Sequence, residues 1–321
     1  DIKFDEDTIS EGRNFANKLY NACRFRQMNG SEVVALDSFD KLDPHHIDIL
    51  AKLDQLDINL DKAYDNYRFN DVTGHLYEFF WTEYCDKFLE AIKFDFKSND
   101  EAAKARTLAV IDTVLSRYLA HLHPLMPHIT EELSAKMGYI AKGEFVMMKT
   151  IDKTPVLAGM SAEDRAKFSE QAAAIYSAAG NLRNLKVEYN LAASKDVKFV
   201  LKAKKEDWIA AQCDTLITLV GAKAMDLDPD YDAPQGTPAA VTAIGEIYMP
   251  LDGLVDLDAE KARLDKEIAK VSQEVERAGK KLGNEKFVAN AKPEVVQKEK
   301  DRLAEWETKL AQLKEMRSAL S

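Results

Sequence analysis

The chain has 321 residues, 44 of them basic and 55 acidic, for a net charge of −11. That length allows two or three domains with cores of their own, and the acidic balance excludes a generic nucleic-acid coat, because any polyanion must be met by a local basic face. Glycine and proline are sparse, 13 and 9, which favours long helices, and no run of eighteen apolar residues is available to span a membrane.

The acidic start, Asp1-Ile2-Lys3-Phe4-Asp5-Glu6-Asp7, lacks the basic-then-apolar order of a signal peptide. It also lacks an initiator methionine, so the chain is expected to be a piece of something longer. Residues 8–30 read as a helix, with Ile9, Gly12, Ala16, Leu19 and Cys23 at 3-4-3-4 spacing and Gly30 to stop it. A second helix follows over 44–65, with Pro44 in its first turn and Ile47, Leu50, Leu53, Leu56 and Leu60 inward. Asn66 to Phe94 is strongly aromatic and predicts one buried helix. Asp100 can cap a helix over 101–122, which ends at His123-Pro124 because the residue before proline leaves the α region. A short helix from His128 to about Lys136 completes a bundle of about five helices.

The pattern then changes. Glu144–Lys149 and Val197–Leu201 read as strands, and Ala239–Leu251 holds another. Ala162–Glu188 and Glu206–Leu219 read as helices, and residues 228–238 as a loop. This order fits a small α/β subdomain. From Leu257 the heptad positions Leu264, Ile268, Val271, Val275, Ala278 and Leu282 are apolar, with Lys261 the exception. Beyond Pro293 the run Val296, Leu303, Trp306, Leu310, Leu313 and Leu320 repeats the pattern, interrupted by Glu299 and Arg317. Two heptad runs joined by about ten residues fold back on each other as an antiparallel hairpin about 38 Å long. The fold class is therefore mainly α: a helical bundle over 1–143, an α/β connection over 144–252 and a coiled-coil arm over 253–321. The stretch from Asp258 onward carries 15 basic and 13 acidic residues, so the rest holds 29 basic against 42 acidic, a charge of −13.

Phosphate loops of the GxxxxGK[ST] and GxGxxG types are absent, as is the GxSxG elbow. Cys23, Cys85 and Cys213 are far apart with no CxxC, which fits reduced core thiols in a cytosolic protein. His121, His123 and His128 alone approach ligand spacing, but Pro124 and Pro127 break the geometry, and no metal is expected. From Gly12 to Ser31 the chain has Arg13, Lys18, Arg24 and Arg26 and no acid. Arg13, Asn17 and Asn21 lie at i, i+4 and i+8, flanked by Asn14, Lys18 and Arg24. A helix face of donors suits phosphates and unpaired base edges, and equally a solvated basic surface. Tyr67-Arg68-Phe69, with Tyr64, could stack a base, whereas Phe79, Phe80 and Trp81 read as core. The third basic set is Arg277, Lys280 and Lys281 with Lys286 and Lys292, at the tip of the hairpin. Such a tip can reach a phosphate backbone, or be an ordinary charged coiled-coil surface.

The words themselves carry a resemblance. Gly12-Arg13-Asn14-Phe15-Ala16-Asn17-Lys18-Leu19-Tyr20-Asn21-Ala22 with Arg24-Phe25 resembles the opening of the anticodon-binding domain of the valyl-tRNA synthetases. In the same order come Tyr77-Glu78-Phe79-Phe80-Trp81, His123-Pro124-Leu125-Met126-Pro127-His128, Asn181-Leu182-Arg183, Leu282-Gly283-Asn284-Glu285-Lys286-Phe287-Val288 and Pro293-Glu294-Val295-Val296. The resemblance covers the whole chain, and the hairpin-tip words are its most specific part. It departs at Ser134, where the family usually has tryptophan, and in helix 44–60, which lacks a tryptophan near Asp48. The resemblance implies an anticodon-stem-binding domain, an α/β connection and an arm that touches the tRNA elbow. The parent would join valine to tRNA-Val using ATP and edit misattached threonine in a separate domain. The HIGH and KMSKS signatures that hold ATP are absent here, so this piece is expected to be catalytically inactive. It would carry no cofactor of its own, ATP and Mg belonging to the parent's catalytic domain. The implied partner is tRNA-Val, with no DNA and no membrane, in a cytoplasmic and monomeric parent. Two alternatives stand beside it: a non-catalytic coiled-coil module for protein interaction, and the corresponding piece of an isoleucine- or leucine-type synthetase.

Overall fold

The computed structural model describes residues 6–203, 206–251, 257–283 and 293–319. One compact unit holds the chain up to Gly180 together with Ala211–Val220, and a second holds Asn181–Ala210 and the chain from Gly221 onward. The structure is mainly helical with one small sheet, as the patterning predicts.

The first unit is a helical bundle. Helix α1 (Glu6–Asn29) and α2 (Pro44–Asp65) follow the expected spans closely. The aromatic stretch is not one helix. Tyr67 takes φ +55°, so α2 ends in a turn and α3 begins at Phe69 and runs to Glu78. A π-helical segment, Phe79–Phe88, follows, and closes with a short α4 (Leu89–Ala91). The buried pairs Phe79-Phe80, Tyr84-Cys85 and Phe88-Leu89 recur about every 4.5 residues, a period that suits the wider i→i+5 turn and not the 3.6 of an α-helix. Phe80, Tyr84 and Phe88 therefore stay in register along the core, with centroids 5.6 and 5.7 Å apart.

Helix α5 (Glu101–Leu122) is capped by Asp100, whose carboxylate accepts from the amides of Ala102 and Ala103 at 2.9 and 3.0 Å. His123 keeps helical angles (φ −55°, ψ −42°) despite the following proline. The chain turns one step later, where the amides of Leu125 and Met126 both donate to the Leu122 carbonyl. Helix α6 (Pro127–Met137) ends at Gly138, whose φ of +77° suits glycine. The strand expected over Glu144–Lys149 is a single 3₁₀ turn, Val146–Met148. A strand would bury alternate residues, but Val146 alone is buried, its amide held at 3.0 Å by Glu131.

Arg26 lies inside this bundle. Its guanidinium meets Asp112 on α5 at 2.5 and 2.6 Å, with both side chains 2% exposed. Asp112 also accepts from the amide of Val34 and the hydroxyl of Tyr139. One carboxylate thus fixes α1, the 30–34 loop and the segment after α6. A buried charge requires such complete pairing. His121 faces Asp57 at 2.5 Å and His123 faces Thr130 at 2.8 Å, so these two histidines turn to different partners.

Helix α7 (Ala162–Glu188) has the predicted span, and the division between the units falls within it. Residues 206–219 form two helices, α8 (Asp207–Ala211) and α9 (Cys213–Val220). They part at Gln212, a buried residue whose amide donates to Asp43 at 2.9 Å. The sheet has order β2-β1-β4-β3, with β1 Lys198–Lys202, β2 Ala224–Leu227, β3 Ala239–Thr242 and β4 Gly245–Tyr248. Strands β1 and β2 are parallel and the other pairs antiparallel. The stretch 239–251, expected to hold one strand, is a hairpin. Gly245 starts its second strand at φ +136°, where a Cβ would stand 2.6 Å from the Lys202 carbonyl. Strand β2 is an element that the sequence reading lacked.

Helices α10 (Leu257–Leu282) and α11 (Pro293–Ala319) pack against each other. The ion pairs Lys281–Glu299, Lys309–Glu267 and Arg317–Asp265 show them antiparallel, since rising numbers on one meet falling numbers on the other. Val271, Ala278, Val296 and Leu313 are buried in the seam, while Ile268, Val275 and Trp306 are half-buried.

Candidate nucleic-acid interface

Helix α1 buries Phe15, Leu19, Ala22, Cys23 and Arg26 on one side. At about 100° per residue, positions 13, 17, 21 and 24 fall within about 80° of one another, opposite that side. Arg13, Asn17, Asn21 and Arg24 are all exposed. Among the described residues neither arginine has an ion-pair partner, because the helix supplies no acid between Gly12 and Asn29. Asn14 is exposed but sits off this stripe. Lys18 leaves it altogether. Its ammonium bonds Asp86 at 2.6 Å and lies 3.9 Å from the centroid of Trp81, so its charge is spent on the π-helical segment.

The α2–α3 turn supplies the second set. Tyr67 is 81% exposed at its left-handed position, and Phe69 is exposed with its ring edge-on to Tyr64, 6.2 Å away. Arg68 is exposed and pairs with Asp71 at 3.2 Å. Beside them Asn59, Lys62, Asn66, Arg68 and His75 border an open polar cleft of about 670 Å³. Asn59, Lys62 and Asn66 were not picked from the sequence. Their i, i+3, i+7 spacing was the available signal. Tyr77 and Trp81 stack on each other at 5.5 Å, and Phe79 and Phe80 are core, as expected.

A groove of about 660 Å³ is walled by Gly12 and Phe15 of α1 and by Asn70, Thr73 and Tyr77 of α3. One wall lies next to Arg13 and the other begins two residues after Arg68. The groove opens on the Phe15 side of α1, away from the stripe, and Glu11 also lines it, so the α1 donors and the rings of the α2–α3 turn are two surfaces, one suited to phosphates and one to stacking a base.

The arm tip is different. Arg277 bonds Glu274 at 2.9 Å, Lys280 bonds Glu276 at 2.5 Å and Lys281 bonds Glu299 at 2.6 Å. Each of these three cations has a carboxylate beside it. Lys286 and Lys292 lie outside the described residues.

Elsewhere the titratable groups are structural. Burial pushes the thiols of Cys23 and Cys85 up to about 12, so neither is a ready nucleophile. Among the described residues the one grouping of metal-ligating side chains is Asp43, His45 and His46. Both nitrogens of His46 are engaged, by the Asp43 amide at 3.2 Å and by Thr107 at 2.9 Å. Among the described residues, no helix is long and apolar enough to cross a membrane.

Two family models match the chain. Residues 47–201 match the anticodon-binding domain of tRNA ligases, and residues 256–321 match the valyl-tRNA synthetase tRNA-binding arm. Curated relatives match across it. The valine–tRNA ligase of Xanthomonas oryzae pv. oryzae (strain PXO99A) is 36% identical over 326 residues, covering 100% of this chain and 33% of its own length. That of Agrobacterium fabrum is 35% identical, covering 98% and 33%, and that of Nitratidesulfovibrio vulgaris is 36% identical, covering 95% and 34%. This chain spans about a third of the length of these relatives. With both its bundle and its arm matched, and in the predicted order, the chain belongs to the valyl-tRNA synthetase family.

Proposed function

We propose that this chain is the RNA-holding part of a valine–tRNA ligase, in which the bundle receives the anticodon stem-loop of tRNA-Val and the arm receives the elbow. The observation that carries it is the exposed α1 stripe of Arg13, Asn17, Asn21 and Arg24, whose cations have no carboxylate partner among the described residues. Such a stripe is a local positive field on an acidic chain. Activation of valine, joining to tRNA and editing of threonine belong to the rest of the parent, where ATP and Mg act. On this reading this chain positions RNA and performs no bond-making step. A cytoplasmic, monomeric parent follows from the same reading.

The test is fluorescence anisotropy of labelled tRNA-Val with this chain between about 50 and 200 mM salt. Saturable binding that weakens with salt is expected. Arg13→Gln with Arg24→Gln should make the dependence shallower by about 1.5 units, as two phosphate contacts are lost. A transcript with an altered anticodon should bind more weakly. Absence of binding at tens of micromolar protein would contradict the reading.

A further inference from the structure

Midway along the arm, well short of the tip, four cations surround an indole. Lys266 and Lys270 stand one turn apart on α10, and Arg302 and Lys309 two turns apart on α11. Together they border a shallow cleft of about 590 Å³ floored by Val271 and Trp306. Val271 is buried and Trp306 half-buried, so the indole is part seam and part surface. Two acids share the cleft: Glu267 faces Lys309 within it at 3.5 Å, and Glu274 bonds Arg277 outside it at 2.9 Å. Lys309 also reaches the Trp306 ring, 5.8 Å from its centroid. Among the described residues Lys266 and Lys270 have no ion-pair partner, and Arg302 feels Glu299, whose carboxylate bonds Lys281, without a direct ion pair to it. Arg277, Lys280 and Lys281 are paired, and although Lys298, Lys300 and Lys314 of α11 also have no ion-pair partner among the described residues, the mid-arm set is the one gathered around an indole in a cleft.

We propose that this mid-arm cleft, and not the paired cations Arg277, Lys280 and Lys281, grips the sugar–phosphate backbone of the RNA. Lys266, Lys270 and Arg302 contact phosphates, and the exposed edge of Trp306 packs against a sugar or an unstacked base. The inference rests on the RNA-holding reading above and adds which part of the arm does the holding. A rise of about 1.5 Å per residue places Lys266 and Lys270 about 6 Å apart along the helix and Arg302 and Lys309 about 10 Å apart. The cleft therefore offers a short track of charge and not a single point. An apolar floor with cations at its rim is the composition that grips a nucleic-acid strand through both its backbone and its bases.

The test measures the salt dependence of tRNA-Val binding to the full chain, using two charge-removing variants and one charge-keeping variant. The triple substitution Lys266→Gln, Lys270→Gln, Arg302→Gln should lower the slope of log affinity against log salt by about 2 units. Lys266→Arg with Lys270→Arg should retain binding and slope. Arg277→Gln with Lys280→Gln at the tip should leave the slope within about 0.5 unit. Circular dichroism checks that each variant keeps the wild-type helicity, and the charge-keeping pair carries the test if the triple variant does not. A wild-type chain without salt-dependent binding overturns both this inference and the RNA-holding reading. Wild-type binding whose slope drops in the tip variant and not in the mid-arm variant overturns this inference alone. Displacement of tRNA by polyglutamate at equal charge overturns it in favour of an acidic protein partner.

Discussion

The stripe on α1 and the tip of the arm carry similar numbers of basic residues, yet they present different fields. On α1 no acid occurs between Gly12 and Asn29, and among the described residues Arg13 and Arg24 have no ion-pair partner. At the tip, Glu274 stands three residues before Arg277, Glu276 four before Lys280, and Glu299 faces Lys281 across the hairpin. Acids at i−3 and i−4 meet cations on the same helix face. The contrast teaches that a basic run is informative only against the acids one turn away and across the seam.

Breaking the support of the α1 surface should give the largest effect. Asp112→Ala strands the Arg26 guanidinium in the core and frees the Val34 amide and Tyr139 hydroxyl. A loss of about 3–5 kcal/mol is expected in urea unfolding followed by the aromatic circular dichroism of the bundle. Hydrogen exchange in α10 and α11 should not change, since the arm draws nothing from this carboxylate. Equal loosening of bundle and arm would erase the distinction between them.

Tyr67→Gly sharpens the comparison from the other side. Glycine accepts the φ of +55° without strain, so folding stability should move by less than about 1 kcal/mol. If Tyr67 stacks a base, RNA affinity falls by about 1–3 kcal/mol. Unchanged affinity in the anisotropy titration would remove Tyr67 from the interface and leave the α1 stripe to act without it.

The bundle also carries a pH signature set by burial. Burial pushes His45 and His46 below the ordinary histidine range, with Asp43 opposing it for His45 and with His45 and Arg106 reinforcing it for His46. The native state thus binds fewer protons than the unfolded chain, and stability is lost as pH falls below about 6.5. Burial raises Asp95 to about 6, so its native form binds more protons between about pH 4 and 6 and offsets that loss. Asp95→Asn removes the offset. The fall in stability on acidification should steepen by up to about 1.4 kcal/mol per pH unit over that window. A shallower fall in urea titrations would reverse the assigned sign.

At the small end, Glu276→Gln removes an exposed ion pair at the tip. The thermal midpoint should stay where it is, because such pairs contribute little. A marked shift would mean that the tip pairs hold the hairpin together.

Much of the fold was legible because long amphipathic helices announce themselves. Pro44–Asp65 and Ala162–Glu188 have the expected bounds, and Asp100 caps its helix as its position suggested. What escaped was set by contacts from afar. Tyr67 breaks a helix that its neighbours would continue, and β2 is a four-residue strand that exists because β1 lies beside it. The π-helical segment did leave a trace, in apolar pairs recurring every 4.5 residues, which a search for 3.6 overlooks. For the interface, the acid-free run in α1 pointed to Arg13, Asn17, Asn21 and Arg24. Lys18 belongs to the same run but is claimed by Asp86 and Trp81, more than sixty residues away and beyond any spacing rule. The mid-arm cations hid in a balanced stretch, because whether Lys266 or Lys280 finds an acid depends on the geometry of two helices together.

Hydroxyl-radical footprinting of tRNA-Val with the full chain tests the central claim most directly. The account predicts two separate protected stretches, one in the anticodon stem-loop and one at the elbow. Arg13→Gln with Arg24→Gln should erase the first and leave the second, and the mid-arm triple variant should do the reverse. A single protected stretch, or loss of both in either variant, would contradict an RNA held at two independent surfaces.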